Sequence, residues 1–161
     1  MLILIEGADN TGKTTLAKML CSQIGAYYHH CGKPQTEYVF EEYEHLYTDK
    51  LRDYENVVMD RGHIGEYVYS QLWRGGLSME PDQFSILTAV AESSFRGLLV
   101  VHAKSPVDII IERCRKNGEE LLQEDQVGRC VELFDEIILE TQKEASVFLY
   151  DSSKMLTSEA V

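Results

Sequence analysis

Gly7-Ala8-Asp9-Asn10-Thr11-Gly12-Lys13-Thr14 has the spacing G-x-x-x-x-G-K-[ST], and these residue types suit the binding of a triphosphate. Glycines at 7 and 12 let the backbone wrap around phosphate oxygens, so that successive N–H groups and a helix N-terminus face the anion. Gly7, Asn10, Thr11, Gly12, Lys13, Thr14 and Thr15 are the candidate nucleotide-binding residues. Lys13 would reach the β- and γ-phosphates as a point charge, and the Thr14 hydroxyl would ligate Mg²⁺.

A second constellation is Asp60-Arg61, which directly follows the apolar run Asn56-Val57-Val58-Met59. In an open α/β sheet the carboxyl ends of the strands face the ligand crevice, so this pair should lie beside the phosphates. Asp60 would then either orient a Mg²⁺-bound water or act as general base toward a neutral hydroxyl. A phosphate acceptor needs little base catalysis and a sugar hydroxyl more, and the sequence leaves both readings open. The N-K-x-D tetrapeptide that would read a guanine base in a GTPase is absent.

These residues need elements to hold them. Leu2-Ile3-Leu4-Ile5 reads as a buried strand feeding the loop, and Thr14 to Ile24 as the helix leaving it, with Gly25 as its stop. Further strands are expected at 26–30, 56–60, 98–103 and 147–150. Helices are expected at 36–54, 62–73, 81–96 and 106–116, with a long amphipathic stretch from the Asn117-Gly118 break to about Lys143. Strands alternating with helices predict an α/β protein: a three-layer P-loop NTPase fold whose five-stranded parallel sheet is flanked by helices. No repeat or linker interrupts residues 1–161, which predicts a single domain.

The 161 residues are 44% hydrophobic, ordinary for a globular protein. No apolar run approaches the ~20 residues that span a bilayer, so the expectation is no membrane and a cytoplasmic location. A formal net charge of −12 repels nucleic acid at long range and disfavours it as a partner without excluding it. Cys21, Cys31, Cys114 and Cys130 show neither C-x-x-C pairing nor zinc spacing and read as reduced thiols. The run His29-His30-Cys31 is no metal site on this reading, because neighbouring strand residues point to opposite faces.

The stretch Ile5-Glu6-Gly7-Ala8-Asp9-Asn10-Thr11-Gly12-Lys13-Thr14-Thr15 resembles the E-G-x-D-x-x-G-K-T-T loop of thymidylate kinases. Asp60-Arg61 followed by Tyr67-Val68-Tyr69 resembles that family's D-R motif and its sequel. The resemblance runs in order through most of the chain. It implies ATP and Mg²⁺ as cofactors, a small-molecule nucleotide acceptor, a homodimer, and a short LID near 113–125. Asp9 would accept a hydrogen bond from the acceptor's 3′-hydroxyl, and Arg61 would clamp its phosphate in bidentate fashion. One branch of the family carries arginine after the loop aspartate, where this chain has Asn10. The missing charge would come from Arg113, Arg115 or Lys116 in the LID, with Arg115 the first choice and a solvated arginine the alternative. On a helix 113 and 116 share a face and 115 points elsewhere.

Tyr69 occupies a place resembling the family's base-proximal aromatic, and Phe40, Tyr43 and Tyr47 lie on the helix that presents a stacking ring. The same spacing also suits helix core. Lys33, in the loop after the second strand, either adds charge near the acceptor phosphate or is a solvated loop lysine. His63 has no required role, and Trp73 reads as a packing residue. The implied activity is ATP-dependent phosphoryl transfer to a deoxynucleoside monophosphate, dTMP or a related pyrimidine. The alternatives are a deoxynucleoside kinase, a kinase of a hydroxymethylated base within DNA, or a non-catalytic nucleotide switch. The short chain fits a compact viral version or one serving a modified pyrimidine.

Overall fold

The computed structural model describes residues 1–117 and 124–157. Five strands, β1 (Leu2–Glu6), β2 (Tyr27–His30), β3 (Val57–Asp60), β4 (Leu98–Lys104) and β5 (Ser146–Asp151), form one parallel sheet in the order β2-β3-β1-β4-β5. Between them run helices α1 (Lys13–Ile24), α2 (Val39–His45), α3 (His63–Trp73), α4 (Pro81–Ser94), α5 (Val107–Asn117) and α6 (Glu124–Thr141). Ile5 pairs with Asp60 and Glu6 with His102, which brings the carboxyl ends of the three central strands level. The α/β, five-stranded parallel architecture expected from the alternation is the one observed.

Alternation along the strands divides their side chains between two cores. Leu2, Leu4, Val57, Met59, Leu98 and Val100 pack with Tyr43, Leu46, Tyr47, Ile64 and Leu87. Ile3, Ile5, Val58, Val101 and Ala103 face Leu16 and Ala17 of α1. A third cluster joins Ala8 of the glycine loop to Val68 of α3, Ile110 and Cys114 of α5, and Cys130 and Phe134 of α6. The loop is therefore seated on packed helices as well as on the sheet.

The helix expected over 36–54 is shorter. It starts at Val39, because the Glu42 carboxylate accepts from the Gln35 and Thr36 amides and turns the chain before it. It then widens into one π turn, Leu46–Lys50, closed by Leu51 N–H to the Leu46 carbonyl at 3.1 Å. The wide turn lets Leu46, Tyr47 and Leu51 all enter the core. Beyond it Tyr54 leaves the helix and stacks on Tyr27, with ring centroids 3.7 Å apart. Pro81 opens α4 behind a capping box made by Glu80 and Gln83. Among the described residues, no helix is long and apolar enough to cross a membrane.

Candidate nucleotide and acceptor site

The glycine loop needs its residue types for steric reasons. At Gly7, φ is +144° and a Cβ would stand 2.2 Å from the Ala103 carbonyl oxygen, so any side chain would push β4 away. Gly12, at φ +79°, is the left-handed N-cap of α1. Asn10 adopts φ +62° without being glycine, and α5 braces it. The Asn10 amide donates to Cys114 Sγ at 3.0 Å, its carbonyl side-chain oxygen accepts from Asn117 at 2.8 Å, and its backbone oxygen accepts from Arg113 at 2.9 Å. Lys13 is buried, and its ammonium donates to the Gly7 and Ala8 carbonyls at 2.8 and 2.6 Å. Burial pushes its pKa down, against the pull of Asp9.

The end of β3 sits beside the loop. The Thr14 hydroxyl donates to Asp60 Oδ2 at 2.6 Å and the Tyr28 hydroxyl at 3.1 Å, with His30 Nδ1 also at 3.1 Å. Asp60 Oδ1 is buried without a partner. Burial works against the Asp60 charge, but the hydrogen bonds from Thr14, His30 and Tyr28 prevail and hold its pKa below the usual value. An ionised carboxylate with one unsatisfied oxygen next to the loop hydroxyl is a suitable donor set for a hard divalent cation.

Arg61 follows with φ +70°, its amide fixed to the Ile5 carbonyl at 3.0 Å. Its guanidinium meets Asp9 Oδ1 at 2.7 Å, and Tyr69 donates to the same oxygen at 3.0 Å. These groups form one end of a cavity of about 410 Å³, whose lining also includes Lys33, Tyr43, Glu66 and Arg74. Glu66, Tyr69 and Trp73 lie at i, i+3 and i+7 on α3 and present one face to the cavity. The Trp73 ring stacks on Tyr69 at 5.0 Å, and Arg74 turns back from the helix end to pair with the buried Glu66. A larger, more open hollow of about 560 Å³ lies at Glu92 and residues 142–147. It adjoins the amino end of β5, opposite the edge that carries the loop.

Asp9, Lys33, Tyr43, Arg61 and Tyr69 thus come together as cavity lining, with Tyr43 also donating to the Gly62 carbonyl at 3.2 Å. Phe40 does not line the cavity and packs against the core from α2. Tyr47 is fully buried and bonded to His63, which reaches Thr88 on its other side. Arg113 is held by Ser105 and Ser152 as well as by the Asn10 carbonyl, so it links the loop to the end of β5. Arg115 lies exposed on α5. Residues 118–123 of the LID expected over 113–125 lie outside the described residues.

Several residues here carried no signal in isolation. The Glu66–Arg74 pair spans eight positions across a helix end. His30 and Tyr28 reach Asp60 only because β2 pairs in register with β3. Trp73, expected as a packing residue, instead lines the cavity and is partly exposed, which its sequence position did not reveal.

No family profile and no curated protein sequence matches the chain. Solved structures do. The chain is similar to the YorR protein from Bacillus subtilis, solved in complex with phosphorylated GDP, at 21% identity and TM-score 0.77, covering 96% of this chain and 87% of that one. It is similar to deoxyadenosine kinase from M. mycoides at 16% identity and TM-score 0.63, covering 95% and 91%. Thymidylate kinase from Candida albicans follows at 19% identity and TM-score 0.62, covering 93% and 82%. The fold is that of the P-loop nucleotide kinases.

Proposed function

We propose that the protein is an ATP- and Mg²⁺-dependent kinase that transfers the γ-phosphoryl group of ATP to a deoxynucleoside monophosphate, dTMP or a related pyrimidine. The observation that carries this reading is the cavity beside the loop, where Arg61, Lys33 and Arg74 gather in a chain of net charge −12. Such cations suit an acceptor that is already phosphorylated, and the stacked Tyr69 and Trp73 offer flat apolar surface to a base. On binding, Lys13 exchanges the Gly7 and Ala8 carbonyls for phosphate oxygens. Thr14 and Asp60 would hold Mg²⁺, which supplies charge neutralisation to the transferring group. Asp9 and Tyr69 orient the sugar, and Arg61 fixes the acceptor phosphate for in-line attack.

The position of Asp60 bears on the choice of acceptor. Its side chain is fully buried, Oδ2 is engaged with Thr14 and Tyr28, and it is not among the cavity-lining residues. That favours the metal side over a general base for a nucleoside hydroxyl. A homodimer and a cytoplasmic site belong to the same reading, and light scattering checks the first. The deciding experiment is a screen of nucleosides and nucleoside monophosphates with ATP and Mg²⁺. Turnover of dTMP or another pyrimidine monophosphate is expected; turnover of thymidine alone, or transfer only to duplex DNA, would reject the reading.

A further inference from the structure

Glu6 ends β1 immediately before the glycine loop, and its side chain is fully buried. Neither carboxyl oxygen has a hydrogen-bond partner. Burying an ionisable group without partners is costly, so packing alone does not account for it. Its position is specific. The carboxyl lies under the first turn of α3, where a Cβ on Gly65 would stand 2.7 Å from Oε2. The amides of Gly65 and Gly62 favour its charged form from outside hydrogen-bond geometry.

Helix α3 calls for such a group. Its N-cap is Gly62, which makes no side-chain cap, and the first amides of a helix have no acceptor within the helix itself. The same turn is also a wall of the cavity, since Arg61, Gly62, Gly65 and Glu66 all line it. A carboxyl from the neighbouring strand thus stands behind the turn whose front carries the phosphate-clamping arginine. The other ionisable groups around it are Lys13 from α1, Arg61, Cys31 after β2, Tyr43 from α2 and Tyr47 from the π turn. Of these, Lys13 and Arg61 are the cations that favour a carboxylate there.

We propose that Glu6 is a positioning residue of the acceptor site: its carboxyl backs the first turn of α3 and so fixes the turn that holds Arg61 against the cavity. The proposal rests on reading that cavity as the acceptor site. Glu6→Gln keeps the shape and removes the charge. With ATP and dTMP, or whichever monophosphate the screen returns, the variant should raise acceptor KM about tenfold while ATP KM stays within about twofold. Amide exchange over residues 63–66 should quicken about fivefold or more, with α5 unchanged. Acceptor KM within about twofold of the unmutated protein, or unaltered exchange at 63–66, overturns the proposal. If the Gln variant does not fold, Glu6→Asp, which retains the charge but withdraws it by one methylene, is read in the same way. An unmutated protein that phosphorylates no monophosphate overturns the acceptor reading instead, and the exchange comparison then decides the role of Glu6.

Discussion

Arg61 is held in the left-handed region by its position rather than by its residue type, and its side chain is shared with Asp9 and the ring of Tyr69. A lysine there could bear the same backbone strain but could not present two parallel donors to a phosphate. Arg61→Lys should therefore raise acceptor KM roughly tenfold or more and leave ATP KM nearly unchanged, as steady-state kinetics would show. Equal KM values would remove Arg61 from the clamp. Glu6 gives a prediction in pH. Burial pushes its pKa up to about 7 from an ordinary 4.5, against the amides of Gly65 and the charge of Lys13. Below 4.5 it is protonated whether folded or unfolded, and no penalty arises. As pH rises toward 7 the unfolded chain ionises first, so stability falls, and above 7 the full penalty, roughly 3 kcal/mol at most, is present. Urea unfolding at pH 5 and pH 8 should show that loss in the unmutated protein and a flatter dependence in Glu6→Gln. Parallel dependences would place the buried charge elsewhere.

The first turn of α3 depends on two missing side chains. Gly62 would drive a Cβ to 2.7 Å from Leu4, and Gly65 one to 2.7 Å from Glu6. Alanine normally stabilises a helix interior over glycine by about 1 kcal/mol. Gly65→Ala should nevertheless destabilise by about 1–2 kcal/mol, because the carboxyl must move. Combined with Glu6→Ala, the same substitution should become neutral or stabilising, which a double-mutant cycle measures; an equal cost in both backgrounds would deny the contact. At this scale the glycine loop, α1 and the β3 end were legible because their chemistry is contiguous in the chain. The π turn at Leu46–Lys50 was not, since its apolar positions follow a helical period closely enough to read as a continued helix. Nor was the close approach of the β1 end to the first turn of α3, because it joins Glu6 to residues nearly sixty positions away.

The parallel sheet could be anticipated because strands buried on both faces read as short apolar runs, as Val57-Val58-Met59 and Leu98 to Val101 do. Which residues meet across it could not, for the order β2-β3-β1-β4-β5 puts His30 beside Asp60 and sets Arg113 against Ser152. On sequence Arg115 is the first choice of LID cation ahead of Arg113, yet Arg113 is built into the junction of loop, α5 and β5, while Arg115 lies on the surface of α5. The chain also contains a single tryptophan, and Trp73 lines the cavity, 39% exposed and stacked on Tyr69. The molecule therefore carries its own optical gauge. A base settling against that indole should dry it, so its emission should shift to shorter wavelength and saturate with added monophosphate, while ATP alone leaves the spectrum nearly as it was. Emission that tracks ATP instead would move the acceptor away from α3, and the gauge needs no label to say so.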